Sequence, residues 1–175
     1  MTWLPFELHP EVPPGGMPAP AYVRNAATGP VGGRLLEMAA ESGREIVFDT
    51  EWMPNTRRAL EASEYAREQG QHEAFHRVVF HRFYGLGENI EDWDVLADAA
   101  REVGLDPEAM REATESGQYA AVVDEHIRNA HDVGITGVPA YILGNRYLIM
   151  GAQPYDVFRQ VMAELGAAPQ SRGDE

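Results

Sequence analysis

Gly134-Ile135-Thr136-Gly137-Val138-Pro139-Ala140-Tyr141-Ile142-Leu143 runs straight into Gly144-Asn145 and then Arg146-Tyr147-Leu148-Ile149-Met150. A glycine closes a helical stretch, a short loop carries Val138-Pro139, and a run of strand-forming residues follows. Gly144-Asn145 turns that strand into a second one. A proline entering a strand has no N–H, so its neighbours keep backbone groups that can pair with an extended ligand. An X-Pro bond can also be cis at small cost. Taken alone, Pro139 reads more readily as a boundary between two elements, since most X-Pro bonds in folded proteins are trans.

Working outward, Trp3 to His9 reads as a strand, and Pro5 makes it an edge strand. Pro10 to Pro20 is an irregular loop. Val31 to Ser42 reads as a helix on Leu35, Leu36, Met38 and Ala39, stopped by Gly43. Ile46-Val47-Phe48 is a short strand or an extended connector. Asn55 to Gln69 is helical, with Asn55 as N-cap and Gly70 as stop. Gln71 to Tyr84 is a helix broken by Gly85 and Gly87, and Glu91 to Val103 is another. Asp106-Pro107-Glu108 opens the next, with a capping residue, a first-turn proline and an acid near the positive end. Gln118 to Val133 and Pro154 to Leu165 are the last two helices. A lone first strand cannot bury itself and is expected to join the hairpin in one sheet.

The chain has 175 residues, 44% of them hydrophobic, which suits one domain or one domain with an insertion. No apolar run approaches the span of a bilayer, and the opening residues lack the pattern of a secretory leader, so a cytoplasmic location is expected by default. A net charge of -14 argues against nucleic acid and anionic membranes as partners. The absence of cysteine removes disulfides, thiolate catalysis and cysteine-ligated metals together.

His72-Glu73-Ala74-Phe75-His76 matches H-E-x-x-H, which on a helix can hold zinc with the glutamate as general base. A third ligand would have to come from Asp92, Asp94 or Asp98, across a glycine-rich break. With Phe75 facing the core, His72, Glu73 and His76 are expected to lie toward solvent, so no metal site and no cofactor are assigned. His126 and His131 are five apart and share no helical face well.

The chain resembles the DsbA family of thioredoxin-fold proteins, and within it the FrnE-like and 2-hydroxychromene-2-carboxylate isomerase-like branch. The resemblance runs from about Trp3 to Leu165. It rests on Leu4 to Val12 (LPFELHPEV), Pro54-Asn55-Thr56, and Gly70 followed by Phe75 and Phe80. Ile90 to Leu96 (IEDWDVL), Gly104-Leu105-Asp106, Ser116-Gly117-Gln118-Tyr119, Gly137-Val138-Pro139 and Gly151-Ala152-Gln153 carry the rest.

The resemblance implies an α/β, thioredoxin-like fold with an inserted all-helical subdomain. Residues 1–50 and 134–168 would form the core, 51–133 the insert and 169–175 a disordered tail. It implies that Pro139 is cis, and that Val138, Pro139 and Gly137 bind the backbone of an extended peptide or a glutathione-like thiol. Family members oxidise, reduce or isomerise disulfides through Cys-x-x-Cys at a helix start, whereas the glutathione-dependent isomerase and transferase branch uses a serine there. This chain begins at the strand that follows that unit in the family, so the N-terminal β-α unit is expected to be incomplete. No catalytic residue can be assigned. The open readings are a truncated oxidoreductase, a redox-inactive peptide- or partner-binding module that could dimerise through an open sheet, and the glutathione-dependent branch.

Overall fold

The computed structural model describes residues 1–25, 29–47 and 51–167. It divides into two compact units, Met1–Ile127 and Arg128–Glu175.

In the first unit the chain runs from β1 (Met17–Pro18) through short α1 (Ala21–Arg24) and α2 (Pro30–Glu41) to β2 (Trp52–Met53), which pairs antiparallel with β1. Then come α3 (Arg57–Glu68), α4 (His72–Phe80), a π-helical turn over His81–Gly85, α5 (Trp93–Glu102), α6 (Pro107–Glu115) and the start of α7 (Ala120–Asp132). The glycine stops Gly43, Gly70 and Gly134 take positive φ as expected, and Gly104 and Gly117 do the same after α5 and α6. Asp106 caps α6, its carboxylate accepting from the amides of Glu108 and Ala109 at 2.9 and 3.2 Å. Asp92 caps α5 in the same way, accepting from Asp94 N–H at 3.0 Å.

The core of this unit lies between α3, α4, α5 and α6. Ala62, Ala66, Phe75, Leu96, Ala99, Ala100 and Met110 are all sealed from solvent there. The small alanine faces of α3 and α5 let α4 and α6 pack against each of them, and Phe75 of α4 and Met110 of α6 fill the core. A second cluster gathers Val12, Ala19 and Met53 around the β1–β2 pair.

The second unit begins within α7. Its C-terminus closes with the amides of Gly134 and Ile135 donating to the carbonyls of His131 and Ala130, both at 2.9 Å. The hairpin β3 (Ala140–Leu143) and β4 (Tyr147–Met150) pairs Ala140 with Met150 and Leu143 with Tyr147. Gly144 and Asn145 both take positive φ, at +57° and +53°, as a type I′ turn requires. Helix α8 (Tyr155–Glu164) packs on the hairpin: Tyr141 meets Phe158 edge-on at 4.9 Å, and the Tyr147 hydroxyl donates to Glu164 at 2.9 Å.

Three local expectations are corrected. Trp3 to His9 is not a strand: each sheet among the described residues is two-stranded, β1–β2 and β3–β4. Instead of a ladder partner, Trp3 offers its ring to α4 and its carbonyl to Arg67. His72 and His76 do not point fully to solvent; both are half-buried, while Glu73 is exposed and pairs with Arg77 at 2.6 Å. Leu35, Leu36 and Met38 of α2 remain more than a third exposed, so the apolar face read from their spacing is not core. Val47 donates to the carbonyl of Tyr84 at 2.7 Å, while Phe48 and the tail from Ala168 lie outside the described residues.

Candidate functional site

The loop between α7 and β3 carries all three residues singled out for binding. Ile135 is buried and anchors it. The backbone then rises through Thr136 and Gly137 to Val138, which is 51% exposed. The Val138–Pro139 peptide bond is cis. Past it the chain is tied into the hairpin: the Pro139 carbonyl accepts from Gly151 N–H at 2.7 Å, and Ala140 opens the ladder opposite Met150. No described residue hydrogen-bonds the Val138 amide or carbonyl. A Cβ built at Gly137 meets nothing within 4 Å, so this glycine leaves open space rather than relieving a contact within the chain. Gln153 steadies the same open end of the hairpin, its side-chain amide donating to the Met150 carbonyl at 2.8 Å. The 175 residues hold no thiol, so the loop has no nucleophilic sulfur from its own chain.

In the first unit, residues far apart in sequence converge on Asn55 and Glu91. The Asn55 side chain accepts from Arg57 N–H at 2.8 Å and donates to the Val12 carbonyl at 2.6 Å. Its backbone N–H donates to Glu91 at 3.1 Å. The other oxygen of Glu91 accepts from Gly15 N–H at 2.5 Å, and Arg58 donates to the Glu91 carbonyl. Glu91 is 8% exposed. A buried carboxylate is costly unless hydrogen-bonded, and these two amides supply that bonding. The sequence stretches around Val12, Asn55 and Glu91 are therefore joined by one polar knot. Next to it, Arg57 pairs with Glu61 at 2.5 Å and Asp124 at 2.6 Å and donates to the Ala120 carbonyl at 2.9 Å. Burial works against its charge. The hydrogen bonds to Glu61 and Asp124 outweigh that, and its pKa lies above the ordinary value. Neither Asp124 nor Glu91 belongs to a chemical motif in the sequence; a carboxylate that bonds across 76 positions leaves no local periodicity.

His72 and His76 stand one turn apart with rings stacked at 5.9 Å. No group of three or more His, Cys, Asp or Glu forms a metal-holding cluster among the described residues. The His72 Nε2 lone pair is already engaged, lying 2.9 Å from an Arg67 guanidinium nitrogen that can only donate. Asp92, offered as a third ligand by the sequence, is occupied as the cap of α5.

No helix among the described residues is long and apolar enough to cross a membrane. The family model for a DSBA-like thioredoxin domain matches residues 1–163. The uncharacterized protein YwbO of Bacillus subtilis is 32% identical over 170 residues, spanning 94% of this chain and 81% of that protein. The 2-hydroxychromene-2-carboxylate isomerase of Sphingobium xenophagum is 35% identical over 78 residues, 45% of this chain and 40% of that protein. Among solved structures, a probable DsbA oxidoreductase from Streptomyces coelicolor superposes with a TM-score of 0.78 at 27% identity, over 97% of this chain and 77% of that one. A 2-hydroxychromene-2-carboxylate isomerase shares the fold with a TM-score of 0.68 at 22% identity, over 94% and 80%. The chain belongs to the DSBA-like thioredoxin domain family, with a thioredoxin-like α/β fold that carries a helical insert.

Proposed function

We propose that this chain provides the substrate-gripping half of a DsbA-type thiol–disulfide oxidoreductase. In this reading the Val138 backbone pairs, strand-like, with an extended peptide or a glutathione-like thiol. The observation that carries it is the exposed Val138, whose amide and carbonyl lack partners, held between buried Ile135 and the hydrogen-bonded Pro139 carbonyl. The amide offers a donor and the carbonyl an acceptor, and Gly137 leaves room for a ligand backbone alongside. Thiol–disulfide exchange requires thiolate attack on a disulfide. Without cysteine, these 175 residues bind and orient but do not exchange.

That absence favours a second reading, a peptide- or partner-binding module with no thiol chemistry. Two measurements separate the readings from failure and from each other. Titrating isotope-labelled protein with glutathione, and separately with an unfolded cysteine-free peptide, is expected to move the amide resonances of Val138 and Ala140. Val138→Pro, which removes the amide donor, is expected to abolish the shift at Ala140. Unmoved resonances at millimolar ligand would end both readings. Shifts with the peptide and none with glutathione favour the binding module; shifts with glutathione favour the oxidoreductase lineage. Insulin reduction by this chain is expected at the buffer rate, and turnover would contradict the mechanism.

A further inference from the structure

Trp3 lies flat on His76, ring centroids 4.7 Å apart and 24° from parallel. His76 continues a column along one helix face, with His72 at 5.9 Å on one side and Phe80 at 4.2 Å on the other. Phe80 in turn meets Tyr84 at 5.6 Å. These residues recur every four positions, the spacing that places side chains one above another on a helix. At the head of the column stands Arg67 of α3. Its Nε donates to one Glu64 oxygen at 2.8 Å, while the two N–H groups of Nη2 are shared among the carbonyl of Trp3, Nε2 of His72 at 2.9 Å and the other Glu64 oxygen at 3.1 Å. Glu64 is almost fully buried, so Arg67 is held in place from below.

Arginine has no acceptor and does not give up its proton in a protein, so the Arg67–His72 bond exists only while His72 Nε2 keeps a lone pair. We propose that Arg67, His72 and His76 form an acid-sensitive latch: it holds Trp3 and the residues around it against α4 while both imidazoles are neutral, and it lets go when His72 takes up a proton. Protonation turns His72 Nε2 into a donor facing a donor, beside a fixed cation. The same Arg67 that loses its bond to His72 carries the Trp3 carbonyl, so the disturbance reaches the segment directly.

The charged and titratable groups acting on the two imidazoles come from both helices. Arg67, and for His72 also Glu64, come from α3; Glu73, and for His76 also the His72 imidazole, come from α4. Glu73 is drawn away by its ion pair with Arg77, and the N-terminal segment brings the uncharged Trp3 ring. For His72 burial lowers the pKa first and Arg67 second, with Glu64 and Glu73 opposing. For His76 burial leads, followed by His72 and Arg67. Both therefore bind protons less readily latched than released. The latch is unaffected above the ordinary histidine pKa of about 6.5 and weakens as pH falls below it. The slope is at most about tenfold per pH unit for each titrating histidine.

The test is nuclear magnetic resonance of the full chain between pH 7.5 and 5, following contacts between the Trp3 indole and the His76 ring, with circular dichroism alongside. The expected result is reversible loss of Trp3–His76 contacts on acidification with helix content unchanged. In the double variant His72→Gln, His76→Phe, whose amide oxygen still accepts from Arg67 and whose ring still stacks, the Trp3 contacts should persist to pH 5. His81→Gln, on an exposed histidine outside the column, should behave as wild type. Three results would overturn the latch: Trp3 contacts retained at pH 5 while His72 titrates, release unchanged in the double variant, or helix content lost together with the contacts.

Discussion

Replacing Asn55 with alanine tests whether the knot around Glu91 holds the first unit together. The substitution removes two hydrogen bonds: the one that caps the first turn of α3 at Arg57 N–H, and the one to the Val12 carbonyl. A lost helix cap costs typically about 1 kcal/mol. A lost hydrogen bond costs about 1 kcal/mol more, and the total rises if the carbonyl it leaves behind cannot reach water. Val12 is 2% exposed, so rehydration there is restricted. The expected loss is therefore about 2–3 kcal/mol. With a urea slope of about 2 kcal/mol/M, that moves the unfolding midpoint down by about 1 M with the slope unchanged. Asn55→Asp keeps the acceptor that caps Arg57 and gives up the donor to Val12. It also sets a second carboxylate near Glu91, so it should lose stability as well, recovering as pH falls toward 4 and the new carboxylate is neutralised. Both variants within 0.5 kcal/mol of wild type at pH 7 would refute the reasoning, because the knot would then contribute nothing beyond what water supplies.

Tyr119→Phe should cost about 1 kcal/mol in the same urea experiment, since it removes the 2.7 Å bond from the hydroxyl to Glu68 and keeps the ring that packs edge-on against Tyr65. Burial first, then Glu68, raises the Tyr119 pKa well above its ordinary 10. Stability from this group is thus fully present below pH 10 and lost as pH rises through the raised value; absorbance of tyrosinate at 295 nm should show Tyr119 as the last of the tyrosines to titrate, a step that Y119F removes. Gly144→Ala places a Cβ 2.6 Å from a Leu165 methyl carbon at a φ of +57°, and should lower stability by about 1–2 kcal/mol, read as a shifted thermal midpoint. An unchanged midpoint would mean that the turn reshapes freely.

Local chemistry was readable where the cause is local. Asp106-Pro107 starts a helix because a carboxylate can reach amides two and three residues on. Gly144-Asn145 makes a hairpin because both residues tolerate positive φ. The Gly137-Val138-Pro139 loop stood out only through the family resemblance, since taken alone its proline reads as a boundary between elements. The Trp3 segment went astray because alternation of side chains describes a strand only when a neighbour completes the ladder.

What tertiary structure alone decided are the contacts that join distant positions. Glu91 is 76 residues from Gly15 and 36 from Asn55, and neither partner can be inferred from spacing. The H-E-x-x-H stretch shows the division most clearly. Sequence places both imidazoles on one helix face. Only the packing of Arg67 against His72 and of Trp3 against His76 sets their use, because a lone pair occupied by a fixed guanidinium is not a ligand in waiting. Composition, by contrast, needed no structure: a chain with no cysteine carries no thiolate chemistry of its own, however its Val138–Pro139 loop is folded.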